Sequence, residues 1–535
     1  MNTQERLRQL IIQETGRLRA SIPPDREAVT LAVVRARDRL PLAPGRETPL
    51  DLVTGRRRAD LGGNLAVRLC LESDGDDVLA GPGLTPGGVG VEVWGERFLV
   101  ECGQLAEAEL VLAQCEAGYI RLAEDNDGTV HAWIATKRTP PSWRERADID
   151  WWAAWLARRH APGHRSRELE RPGSRQGDTK PGPVDRAVAG VILETMAYQL
   201  GYPEDAEIGG CTVRIYKAVL GSLIGRGLDE RHREDVAMLQ SERGLAAEIA
   251  VEIGVDPGTV ARAMAGFTLD RAGAAYHAAV PGVAAAPLVR LGPDRLVWSV
   301  HGLTTEPLFF LTRELRRRDP EGYHNSAHLR EAVFRQDLYA LFGDKRFVTS
   351  AGRIKLRRSD GDLRTDIDAV VFDRKTGTLG VFELKSQDPF ARSAAELARQ
   401  RDNVLYANRQ VAGVLDWLKR HGGDEILGRV DGRTAKTFRV QRVFPFVLGR
   451  YLAHFGDGPA PDRRAAWGTW PQVLSLLDGQ PGGAGDANPL ASLFTRLTSD
   501  APLLRQSVDG PVREIALGGE RLIVYASYGA YRGGG

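Results

Sequence analysis

Residues 363–387 read LRTDIDAVVFDRKTGTLGVFELKSQ, and the fold of the C-terminal part of the chain turns on how they pair. TDIDAVVFD alternates, so Asp366, Asp368, Val370 and Phe372 share one strand face. In LGVFELKS the sharing set is Leu379, Val381, Glu383 and Lys385. Between them Arg374-Lys375-Thr376-Gly377 supplies a turn. An antiparallel register with Asp368 opposite Glu383 also sets Val370 opposite Val381 and Phe372 opposite Leu379. A single register thus matches the apolar pairs and gathers Asp368, Glu383 and Lys385 at one end of a sheet face.

The flanking segments extend this unit. SAHLREAVFRQDLYALFG, 326–343, has helical period with a stop at Gly343, and Phe334, Leu338 and Phe342 form its apolar stripe. Glu331 lies three residues before Phe334 and seven before Leu338, on the same inward face. A carboxylate aimed inward is costly unless something compensates it, and a metal ion is one such partner. GRIKLRR, 352–358, alternates with Arg353, Lys355 and Arg357 on one face, a basic row suited to a phosphate backbone. Downstream, SAAELARQRDNVLYANRQVAGVLDWLKRHGG reads as a helix packed through Leu397, Val404, Val411 and Leu418, with Gln400 one turn before Val404. TFRVQRVFPFVLGRY reads as a further core strand.

Phosphodiester cleavage calls for these residue types. Two carboxylates with backbone oxygen or water hold a hard cation such as Mg²⁺. The cation lowers the pKa of its bound water and neutralises charge on the scissile phosphate. A nearby lysine orients that water and stabilises negative charge as it builds. Asp368, fourteen intervening residues and ELK, with a glutamate-bearing helix upstream, resemble the PD-(D/E)xK nuclease superfamily, in its restriction-endonuclease-like and nuclease-related branches. The resemblance covers about residues 325–450. It implies a mixed sheet flanked by helices, with Asp368 and Glu383 as metal ligands and Lys385 as the catalytic lysine. It further implies Glu331 as the helix acid completing the site, Gln400 as a contact to phosphate or attacking water, and Asp366 in support. Ile367 stands where the motif name has proline, a common departure.

The rest of the chain carries no comparable chemistry. Residues 1–40 read as two helices, about 50–137 as strands including VGVEVWGERFLVEC, and GYIRLAEDNDGTVHAWIATK as a hairpin with an Asn-Asp-Gly turn. The tryptophans at 143, 151, 152 and 155 suggest a helix packed on that sheet. Residues 159–185 read as a linker rich in Pro, Gly and charge. Within a helical region, 186–275, Ala250, Gly254, Val255 and Val260 have the spacing of a helix-turn-helix and resemble that of bacterial repressors. APLVRLGPDRLVWSVHGL reads as a hairpin, and the basic helix LFFLTRELRRRDPEG leads into the C-terminal unit. Residues 478–487 and the glycine-rich tail read as flexible.

Composition permits this reading without selecting it. The 535 residues exceed one domain, and 72 Lys+Arg balance 70 Asp+Glu, so net charge discriminates nothing. The four cysteines are scattered with no CxxC pair, which argues against structural zinc and suits a reducing cytosol. The N-terminal twenty residues mix charge with short apolar runs, unlike a signal peptide, and no run is long enough for a membrane span. The expectation is a multidomain α/β and α+β cytoplasmic protein: an N-terminal α+β domain (1–158), a linker, a helical domain (186–275), a connecting hairpin and helix (276–324) and a restriction-endonuclease-like domain with a C-terminal extension (325–535). Its activity would be Mg²⁺-dependent hydrolysis of DNA, with Mn²⁺ as substitute. A homo-oligomer or a protein partner would form through the N-terminal domains. Defence against phage or mobile elements is an analogy with lone nucleases of this branch. The competing readings are a non-catalytic DNA-binding protein that uses the helix-turn-helix, and an RNA-cleaving nuclease.

Overall fold

The chain is described here from a computed structural model covering residues 2–39, 49–73, 89–134, 151–156, 183–230, 239–279, 285–357, 363–388, 394–453, 461–478, 487–499 and 512–528. Most of the expected linker, the 478–487 loop and the final glycine-rich tail lie outside the described residues.

Two helices open the chain as the pattern predicts, α1 (Thr3–Ala20) and α2 (Arg26–Arg39). The stretch expected as strands is largely helical instead: α3 spans Pro49–Glu72 and α4 spans Val89–Glu116. VGVEVWGERFLVEC alternates locally, but Val91, Phe98, Leu99, Cys102, Leu105 and Ala106 are all buried, and that spacing follows the helical period. Helices α3 and α4 approach so closely that a Cβ on Gly62 would stand 2.4 Å from the Gly103 nitrogen, a contact that only glycine permits. The hairpin does form, as β1 (Ile120–Glu124) and β2 (Val130–Ile134), with Gly128 at φ 88° in its turn. Of the tryptophans, Trp143 lies outside the described residues. Trp152, on a short helix at 151–156, lies tilted against Tyr198 at 4.2 Å and Tyr451 at 6.0 Å, in a core cluster that also holds Ile120, Val130 and Ala132 of the hairpin.

In the middle region α5 (Pro183–Met196) and α6 (Val213–Glu230) precede α7 (Glu242–Ile253) and α8 (Pro257–Ala265). The last two form the expected helix-turn-helix shape. Gly254 ends α7 in the left-handed conformation at φ 70°, and Asp256 caps α8 by accepting from the Thr259 N–H. Ala250 and Val260 are buried between the helices. The next hairpin, β3 (Leu288–Gly292) and β4 (Arg295–Trp298), is not a free connector. It pairs with the short strands 268–269 and 239–240 and so completes a four-stranded sheet of this region. The basic helix α9 (Pro307–Arg318) follows, then α10 (Ala327–Ala340).

The C-terminal unit is a five-stranded mixed sheet with helices on both faces. Its strands are β5 (Phe347–Thr349), β8 (Ala369–Asp373), β9 (Thr378–Lys385), β10 (Arg442–Gly449) and β11 (Ala466–Thr469), in the order β11-β10-β9-β8-β5. A separate ribbon pairs β6 (Ile354–Arg357) with β7 (Leu363–Ile367). The β8–β9 register is the expected one, Val370 on Val381 and Phe372 on Leu379. Its turn requires Gly377, at φ 64°, where a Cβ would meet Gln441 at 2.6 Å. Strands β9 and β10 run parallel, which demands a long crossover. That crossover is helix α11 (Ala394–Val430), broken at Gly422. The side chains of Leu397 and Val404 lie outside the described residues, whereas Val411 is buried and Leu418 packs on the core as expected. Phe334 and Leu338 of α10 are buried on the sheet face opposite α11, in a core with Ala369, Val371, Phe382 and Leu384.

The C-terminal end leaves this unit. After α12 (Trp470–Asp478) and α13 (Pro489–Ser499), strands β12 (Arg513–Leu517) and β13 (Glu520–Tyr528) join the N-terminal hairpin, β13 lying parallel to β2. Residues 512–528 therefore share a four-stranded sheet with residues 120–134. No helix among the described residues is long and apolar enough to cross a membrane. Deleting residues 512–535 should strip Ile515, Leu517, Leu522 and Val524 from the core, each worth about 1.5–3 kcal/mol of burial. The expected result is accelerated hydrogen exchange at Val130–Ile134; unchanged protection there would contradict the pairing.

Candidate functional site

Asp368 sits in a bend between β7 and β8, not within one continuous strand. The expected alternation of Asp366, Asp368, Val370 and Phe372 therefore breaks: Ile367 joins Val370 and Phe372 in the same apolar cluster. The bend is held from three sides. Asp368 N–H donates to the Phe382 carbonyl at 3.1 Å. Arg335 Nε donates to the Asp368 carbonyl at 2.6 Å, and Leu384 N–H donates to Asp368 Oδ2 at 2.8 Å. One oxygen of this nearly buried carboxylate thus serves the hairpin, and Oδ1 meets Arg353 Nε at 3.2 Å.

Glu383 and Lys385 lie on β9 beside it. Strand β10 backs them, with Glu383 paired to Val447 and the Lys385 carbonyl accepting from Arg450 N–H at 2.8 Å. Lys385 Nζ donates to Glu383 Oε1 at 2.5 Å and to Gln410 Oε1 at 2.8 Å, and lies 5.3 Å over the Tyr406 ring. A recess between the sheet and α11 is walled by Asp366, Glu383 and Gln410, with Val381, Val411 and Val414. Gln410 is the site residue that the sequence reading missed. It neighbours Val411 on the packing stripe of α11, and that adjacency was the available signal. Gln400, expected here, instead donates to the Asp388 carbonyl at 3.1 Å. Ten residues of helix separate the two glutamines, so one α11 carries both but brings only Gln410 to the lysine.

Glu331 comes to the acids through an intermediary. Arg353 precedes β6, and its guanidinium pairs with Glu331 Oε2, with Asp366 Oδ2 at 3.3 Å and with Asp368 Oδ1 at 3.2 Å. The expected basic row is thereby divided. Lys355 and Arg357 are exposed on β6, while Arg353 folds back into the acids. Four carboxylates, Glu331, Asp366, Asp368 and Glu383, contact two cationic side chains, Arg353 and Lys385. A third cation, Arg335, donates to the Asp368 backbone carbonyl, and its charge also acts on Glu331.

The electrostatic consequence falls on the most buried acid. Burial first, then the adjacent Asp368 charge, pushes the Glu383 carboxyl up to about 8 against the opposing pull of Lys385. Glu331 is raised too, by burial and then Asp368, with Arg353 opposing. The donor set suits a hard divalent cation in kind, since it is all oxygen and includes four carboxyl groups. Yet among the described residues no three Asp, Glu, His or Cys side chains converge on one metal position. The Arg353 fork stands among three of the acids.

Compared with protein-family models, curated proteins and solved structures, the chain matches none.

Glu383 has a testable pH signature. Its folded pKa is raised, so its contribution to stability is complete below the unfolded value of 4.5 and is lost as pH rises through about 8. Without divalent cations, Glu383→Gln should therefore be more stable than the parent at pH 8, by on the order of 2–4 kcal/mol, with the gap closing towards pH 4.5. Urea midpoints of both proteins at pH 4.5, 6 and 8 measure it. A gap independent of pH would show that the Glu383 carboxyl is not raised by folding.

Proposed function

We propose that the chain is a nuclease that hydrolyses phosphodiester bonds in DNA with Mg²⁺, Mn²⁺ substituting. One observation carries the reading: Asp368, Glu383 and Lys385 meet at one end of the β8–β9 hairpin, with more carboxylates than cations around them. Asp368, through Oδ1, and Glu383 would hold the cation, with Glu331 as the third acid. The cation would supply charge neutralisation at the scissile phosphate and an acidified water.

The chain's own residues do the rest. An ammonium group has three donors. Two of Lys385's are directed to Glu383 and Gln410, which fix Nζ and leave one N–H for a phosphate oxygen or the attacking water. Gln410 acts through Lys385 and is a positioning residue. Strand β10, locked to β9 in parallel pairing, sets the height of Glu383 and Lys385 against Asp368. Lys355 and Arg357, exposed on the adjoining ribbon, would take the backbone of the substrate.

The alternative of DNA binding by the helix-turn-helix without cleavage has less support. Helix α8 carries one cation, Arg262, which bonds to Thr259 on its own helix. The facing α7 presents Glu248 and Glu252, which hold Arg226. Such a surface offers little to phosphates. Cleavage of RNA by the same side chains is decided by substrate.

Plasmid, single-stranded DNA and RNA incubated with the protein and Mg²⁺, Mn²⁺ or EDTA test the proposal. Lys385→Ala and Asp368→Ala should each reduce cleavage by at least about 10²-fold. They should do so by different routes: calorimetry should show Mg²⁺ binding retained in Lys385→Ala and lost in Asp368→Ala. Parental cleavage by Lys385→Ala would refute Lys385 as the catalytic lysine, and a parent that leaves every substrate intact with Mg²⁺ and Mn²⁺ would refute the nuclease reading.

A further inference from the structure

Arg353 holds a position that the proposed function does not explain. Three of the four site acids, on three different segments, converge on its one guanidinium: Glu331 from α10, Asp366 from β7 and Asp368 from the bend. The Asp368 oxygen it takes is Oδ1, the one not bonded to the Leu384 N–H. Since Oδ2 is fixed by the hairpin, Oδ1 is what Asp368 has to give a metal ion. A single flat +1 fork therefore bridges three of the acids, and among the described residues no three acids converge on one metal position. Arg353 also stands outside regular structure, between β5 and β6, and 40% of its side chain is exposed, against 29% for Glu331, 22% for Asp366 and 5% for Asp368.

We infer that Arg353 is a resident counter-cation, which holds the acids together in the metal-free protein and competes with the divalent cation for them. The inference rests on the nuclease reading of the site. Four acids clustered without it would repel one another, so the clamp preserves their arrangement until metal arrives. Loading then requires the guanidinium to swing out. The position it swings toward is beside Lys355 on the exposed face of β6, where a phosphate backbone would lie. Guanidinium binds phosphate as a fork, as it binds carboxylate. Nucleic acid and metal would then favour each other's binding, since each takes one partner of the same ion pairs.

Mg²⁺ and Mn²⁺ titrations without nucleic acid, by calorimetry and by electron paramagnetic resonance, test the competition in the parent, Arg353→Ala and Arg353→Lys. Removing a positive charge among the acids should tighten cation binding by roughly tenfold or more in Arg353→Ala. Metal-free Arg353→Ala should melt below the parent, and saturating Mg²⁺ should raise its melting temperature more than the parent's. Arg353→Lys, which keeps one charge but loses the fork, should fall between, and it decides the matter if the alanine variant fails to fold. A parent that binds Mg²⁺ and cleaves DNA, beside variants that bind equally or more weakly, would overturn the competition alone. A parent that neither binds metal nor cleaves would overturn the nuclease reading, and this inference with it.

Discussion

The structure around the site depends on placing two carboxylates, Asp368 and Glu383, side by side at the buried end of a β-hairpin. Like charges in a poorly solvated place repel, and the chain has to compensate or protonate them. It does both. Lys385 and Arg353 supply opposite charge, the Leu384 N–H takes one Asp368 oxygen, and Glu383 binds protons far more readily than an ordinary carboxyl. A stably folded chain that keeps so unfavourable a cluster needs a reason for keeping it. Chemistry on a phosphodiester is such a reason, and it is the basis of the proposed function.

Everything near the acids serves to hold them there. Strand β9 is central, with β8 antiparallel on one side and β10 parallel on the other, so Glu383 and Lys385 cannot shift register alone. Phe382 and Phe446 stack at 4.6 Å across that parallel pair and anchor the face opposite the acids. At the far end of the hairpin, buried Asp373 receives the Arg346 fork at 2.7 and 2.6 Å, along with Thr376 and the Lys375 N–H. Burial alone would raise its carboxyl, but these donors outweigh it and hold the group below the usual range. The hairpin is thus an ion-paired unit at both ends, a satisfied pair at the turn and an undercompensated cluster at the site.

The remainder of the chain is joined to this unit by long-range contacts. Arg313 and Arg316 of α9 reach Glu396 and Asp388 on the segment after β9, and Arg330 binds Asp388 as well. Buried Arg450, which directly follows β10, lies over both Trp152 and Phe334. The middle region therefore contacts the loop that leaves the candidate site, three residues beyond Lys385.

The local side of all this was legible in the residues alone. Period-two alternation set the β8–β9 register, and one register satisfied both the apolar pairs and the charges. Period 3.6 placed Phe334 and Leu338 inward and Glu331 on their side, and the spacing of Ala250, Gly254, Val255 and Val260 marked the helix-turn-helix. The failures are of another kind. Helix α4 packs against α1, α2, α3, β1 and β12, so apolar residues surround it and its helical period is masked in a short window. Strand β13 pairs with a hairpin strand about 390 residues earlier, and nothing in its own pattern names that partner. Arg353 alternates with Ile354 as a solvent-facing strand residue would, yet three acids from separate segments draw it inward. Gln400 and Gln410 lie on one helix, and only the docking of α11 on the sheet chose which would meet Lys385. Periodicity encodes which face of an element is buried; which charged group lies across from that face depends on elements distant in sequence, and only the assembled fold decides it.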